Sequence, residues 1–72
     1  MGEVSGKDVK PRAQTALATS PIHELRGLRV EQQNGALVIH GTVSSFYHKQ
    51  LAQEIVRAVC REIALINSVH VR

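Results

Sequence analysis

The sequence predicts a small α+β domain in the order α-β-β-α-β, a three-stranded mixed sheet with two helices on one face. Three observations carry this. Leu28–Gln32 and Leu37–Val43 alternate apolar and polar residues on either side of Asn34-Gly35. That dipeptide closes a two-residue hairpin because both residues accept positive φ. From Ser45 to Glu62, Leu51, Ala52, Ile55 and Val59 fall within roughly a 100° arc of a helical wheel. Leu65–Val71 then alternates again, as a strand does.

Each element has its own signal. Met1 to Lys10 is polar with two glycines, so residues 1–10 read as a disordered tail and 11–72 as the domain. Pro11 suits a first helical turn. Ala13, Ala16 and Leu17 continue at helical spacing to about Thr19. Ser20-Pro21 ends this helix, and Pro21–Leu25 forms one more turn with Ser20 as its cap. In the hairpin, Leu37, Ile39, Gly41 and Val43 share one face. A glycine inside a strand marks close packing over the backbone, most simply by a helix. Ser44 or Ser45 caps the second helix, and Ser44 joins Asn34, Gly35 and Gly41 as a structural residue. That helix is a crossover, so strands two and three run parallel and strands one and two antiparallel. The outer sheet face (Arg29, Glu31, Val38, His40, Thr42, His70) is mostly polar and suits solvent. Asn67 falls on the inner face of the last strand, which fits an edge position where its amide bonds backbone.

The totals exclude several classes. A chain of 72 residues buries only about 60% of its unfolded surface, so stability is on the order of 5 kcal/mol. Cys60 is the only cysteine, so no intrachain disulfide forms. His23, His40, His48 and His70 show no paired ligand spacing, which argues against a structural metal. No cofactor motif occurs. The net charge is +3 and the pI about 9.6, but the cations are spread along the chain. No run of like charge supports a nucleic-acid tail, and no DNA partner is expected. No apolar run is long enough for a transmembrane segment. Met1–Lys10 has no apolar stretch of signal-peptide kind, which leaves a cytoplasmic chain or a domain cut from a longer exported protein.

Gly35 with Leu37, Ile39, Gly41 and Val43, then Ser44-Ser45, then Ala52 on the core face, and finally Asn67-x-Val69-x-Val71 together resemble the BON domain. This is a bacterial module of osmotic-stress, nodulation and other envelope-associated proteins. The likeness runs from about Ala13 to Val71 and rests on packing residues. One departure stands out: Arg61-Glu62 occupies the place where the family usually has Gly-Val, so the second helix runs longer here or ends differently. The resemblance implies a non-catalytic domain that binds phospholipid surfaces or envelope-associated protein partners. It implies no catalytic residues.

The residues themselves offer a matching surface. Phe46 lies on the polar side of the second helix near its start, and Tyr47 flanks the core stripe. Such rings suit a membrane interface or a partner groove. With Lys49, Gln50, Gln53 and Arg57 they form a small amphipathic, net basic patch suited to anionic phospholipid. His40 and His70 become neighbours if strands two and three pair. Cys60 projects away from the core centre on the same wheel, as a semi-buried filler or a reactive thiol. Ser44 and Ser45 have no base or oxyanion donors near them in sequence, so an enzyme is not expected. Two other readings belong to different classes. A small RNA-binding domain is disfavoured because no Gly-x-x-Gly loop occurs. An oligomerisation unit would use the exposed sheet edge.

Overall fold

The computed structural model describes residues 6–72. Its elements are α1 (Gly6–Ala18), a 3-10 turn (His23–Gly27), β1 (Arg29–Gln33), β2 (Ala36–Val43), α2 (Phe46–Val59) and β3 (Ala64–Val71). This is the expected α-β-β-α-β order. The sheet order is β1-β2-β3, with β1 antiparallel and β3 parallel to β2.

The amino-terminal boundary differs from the expected one. Residues 1–5 lie outside the described residues, but Gly6–Lys10 are helical rather than part of a disordered tail. Val9 supplies the reason. It stands one turn before Ala13 and two before Leu17, and all three are buried, so the apolar stripe begins at Val9. Pro11 therefore lies inside the helix. Its missing N–H leaves the Lys7 carbonyl without its helical donor.

Asn34 (φ 50°) and Gly35 (φ 81°) form the two-residue turn, with Gln33 paired to Ala36 across it. Ser20 is buried, and its hydroxyl accepts the Ile22 N–H at 3.0 Å. The 3-10 turn starts one residue after that bond, so Ser20 initiates the turn without being its formal cap.

Both helices cover one face of the sheet. The core between them holds Leu17, Leu25, Leu28, Val30, Leu37, Ile39, Val43, Ala52, Val56 and Val69. On α2 the buried positions are Ala52 and Val56, while Leu51, Ile55 and Val59 are only partly buried. The core face is thus rotated towards Val56, relative to the expected arc centred nearer Leu51. The open face also differs from expectation. Val38 and Ala36 are buried there, because β2 is the central strand and Val38 is flanked by Glu31 and Ile66.

Helix α2 ends at Val59, three residues before the expected Glu62. Cys60 leaves the helix with φ −136° and ψ 79°. Its thiol lies in the core and donates to the Val9 carbonyl at 3.6 Å. The expected wheel placed the core centre too near Leu51; on the face rotated towards Val56, Cys60 continues the Ala52–Val56 stripe four residues on.

Gly41 is tightly packed, but not by α2. A Cβ built on it would meet Leu28 Cδ2 at 2.5 Å and Leu28 Cα at 3.4 Å. The β1–β2 register ends at Arg29 opposite His40, so Leu28 is the next residue across. Gly41 has φ +134°, a conformation that side chains rarely adopt.

Candidate functional site

The loop from β2 to α2 is built by two hydroxyls with different roles. Ser45 is the N-cap, and its side chain accepts the His48 N–H at 3.2 Å. Ser44, expected as a capping candidate, instead meets Glu24 from the 3-10 turn. One Glu24 oxygen accepts the Ser44 N–H at 2.8 Å, and the other accepts the Ser44 hydroxyl at 2.6 Å. His48 Nδ1 lies 3.3 Å from Glu24 Oε1, close but not aligned as a hydrogen bond. The carboxylate thus ties the 3-10 turn to the start of α2, where the helix dipole also favours negative charge. Sequence reading missed Glu24 because no periodicity marks a residue that acts through a tertiary clamp.

The two hydrogen bonds from Ser44 hold the Glu24 carboxyl below its usual range, the hydroxyl bond foremost, against a smaller opposing effect of burial. A carboxyl lowered in the folded state stabilises the fold above its unfolded pKa, and this is lost as pH falls through the folded value. Glu24→Gln is therefore expected to lower the melting temperature at neutral pH and to flatten its fall in acid. Circular-dichroism melts across an acid-to-neutral series check this; parallel curves for variant and parent would refute the clamp.

Just beyond the clamp stand the rings. Phe46 is 74% exposed and Tyr47 68% exposed. Tyr47 does not flank the core as expected. Its ring sits instead near the His48 imidazole, with centroids 5.5 Å apart. Both residues occupy the first turn of a capped helix, so the backbone that presents them is rigid.

The polar residues expected to accompany them separate into two groups. Gln50 and Arg57 are exposed on the face that carries Phe46. Lys49 and Gln53 are half-buried beside β3. There the Asn67 amide donates to the Lys49 carbonyl at 2.8 Å and to Gln53 Oε1 at 3.2 Å. Gln53 is thereby committed to the fold. Asn67 does bond backbone at a sheet edge, as its position in the sequence suggested. Glu54 shares the exposed face and accepts from Gln50 at 3.4 Å, so the patch is less basic than the expectation that left it out.

The remaining candidates are dispersed. Strands β2 and β3 pair, but His40 stands opposite Ser68 and His70 opposite Thr42, which makes the two histidines diagonal neighbours. Among the described residues no three His, Cys, Asp or Glu side chains gather where a metal ion could be held. Burial raises the Cys60 thiol, against the nearby Arg12 charge, and keeps it protonated. An open groove of about 420 Å³ beside β1, lined by Lys10, Gln14, Arg26, Arg29 and Glu31 among others, was not legible in the sequence. Its charges are mixed, with Lys10 and Glu31 3.9 Å apart. Among the described residues no helix is long and apolar enough to cross a membrane.

No family model and no curated protein matches this chain.

Proposed function

We infer that this chain is a non-catalytic, BON-like interaction module that docks on an anionic phospholipid surface through the first turn of α2. The observation that carries this is the pair of exposed rings, Phe46 and Tyr47, on a rigid capped helix start. An isolated exposed apolar residue is ordinary. Two adjacent large exposed rings on the first turn of a capped helix are a more specific arrangement, suited to a water–lipid boundary. Gln50 and Arg57 supply the polar rim, with Glu54 partly offsetting its charge. The rings therefore contribute more to docking than the cations do.

The non-catalytic part of the reading rests on the candidate nucleophiles. Ser44 donates its hydroxyl to a carboxylate whose pKa is lowered, and a lowered carboxylate is a weak base. The Cys60 thiol is buried and raised.

Sedimentation with anionic and neutral vesicles tests the docking. Phe46→Ala is expected to weaken binding roughly tenfold or more, since burying a Phe ring contributes about 1.5–3 kcal/mol. Phe46→Ala with Arg57→Glu should abolish it while the circular-dichroism spectrum and melting temperature stay near the parent's, because both sites are exposed. Raising salt should weaken binding only moderately, in line with the few cations. Unchanged binding by the double variant would overturn the reading. So would RNA binding in matched salt with no vesicle binding.

A further inference from the structure

The two edges of the sheet are treated differently. On β1 the outward Val30 N–H and Leu28 carbonyl are both held by the Gln14 amide. On β3 no strand among the described residues pairs with the outer edge. β3 runs eight residues, Ala64–Val71, with no charge, proline or positive-φ residue inside it. Those are the usual devices that keep an edge from pairing. The Arg72 N–H bonds inward to the Val43 carbonyl, so the alternate residues Leu65, Asn67, Val69 and Val71 turn their backbone groups outward. The Val69 N–H is taken by Asn67 Oδ1 at 3.2 Å. Apolar side chains are half open on both sides of the edge: Leu65 and Val71 towards the helices, and Ile66, 50% exposed, on the open face. Opposite charges bracket the strand, with Glu62 before it and Arg72 after it.

We propose that β3 is a self-association edge, on which a second copy of this chain pairs antiparallel about a two-fold axis to form a six-stranded sheet. Such pairing sets outward residues against outward residues, which at full overlap puts the axis at Asn67 or Ser68. An axis at Asn67 sets Glu62 against Arg72 of the second copy at both ends. It also sets Leu65 against Val69 and Ile66 against Ser68. The Val69 N–H then passes from Asn67 Oδ1 to the Leu65 carbonyl of the second copy, one hydrogen bond exchanged for another. Parallel pairing would instead bring Arg72 beside Arg72. Because the strands oppose, the two Phe46 tips lie at opposite ends of the sheet. Self-association and vesicle docking are therefore separable, and each can fail without the other.

Sedimentation velocity across micromolar to millimolar concentration tests this. The mass is expected to rise from the 7.9 kDa monomer towards twice that value. Ile66→Lys places two cations close together across the axis and should weaken association roughly tenfold or more while the monomer's spectrum is unchanged. Glu62→Arg should weaken it as well, and Glu62→Arg combined with Arg72→Glu should restore it. A monomer throughout the range, a dimer indifferent to Ile66→Lys, or a charge swap that folds but restores nothing would each overturn the proposal. The Arg72 charge also acts on the Glu24 carboxylate, whereas Ile66 is exposed on the open sheet face away from that clamp, so its variant reads the edge even if the charge swap disturbs Glu24.

Discussion

Replacing Gly41 with valine is expected to remove most of the stability of this domain. Two costs add. The backbone at Gly41 has φ +134°, and holding a β-branched residue there costs about 1–3 kcal/mol. The new Cβ would also stand 2.5 Å from Leu28 Cδ2. Leu28 is 2% exposed, so displacing its buried methyl adds an overpacking cost of about 1–3 kcal/mol. Their sum, about 4 kcal/mol, is close to the whole stability expected of so small a chain. Urea titration followed by circular dichroism measures it, and a midpoint near the parent's would disprove the account. A double-mutant cycle separates the two causes. Leu28→Ala should relieve part of the cost of Gly41→Ala, leaving the backbone share, so the pair should be less destabilised than the sum of its members.

That contrast shows what the sequence could and could not reveal here. The alternation through Leu37, Ile39, Gly41 and Val43 was sufficient to place a glycine where something packs close. It could not say that the neighbour is Leu28 and not a helix, because that depends on a hairpin register ending one residue short of Gly41. The turn at Asn34-Gly35 was legible because its chemistry is local. Local signals failed where a tertiary contact decided the outcome. Val9 extends α1 through Pro11 because it reaches the core. Cys60 enters the core because the buried face of α2 is rotated towards Val56, four residues before it. At the candidate site, the cap and the exposed Phe46 were legible in the sequence, whereas Tyr47 was expected beside the core stripe and is exposed. The Glu24–Ser44 bonds and the engagement of Gln53 by Asn67 join residues far apart in the chain, and no spacing rule encodes them.

Gln14 is another such residue, and Gln14→Glu should make the stability of this domain depend on pH in an opposite sense to Glu24. The Gln14 amide donates to the Leu28 carbonyl and accepts from the Val30 N–H, both at 2.8 Å. A protonated carboxylic acid can do both. An ionised one can only accept, and it turns a charged oxygen towards the Leu28 carbonyl. The protonated form is therefore favoured by folding, and the folded-state pKa of the new carboxyl lies above its unfolded value. A group raised in this way contributes its full stability below the unfolded pKa and loses it as pH rises through the folded one. Relative to the parent, the variant should be nearly as stable in acid and less stable by about 2 kcal/mol at neutral pH, the scale of one unsatisfied, partly buried acceptor. Lys10, one turn earlier on α1, and Arg26 and Arg29 line the same groove, with Glu31 opposing them; at such exposed positions each cation offsets a few tenths of a kcal/mol. That is too little to change the sign. Urea midpoints of variant and parent, compared pairwise along a pH series, give the difference directly and cancel the acid loss that both share through Glu24. A difference that stays flat across the series would mean that water already serves the β1 edge and that the Gln14 clamp contributes nothing.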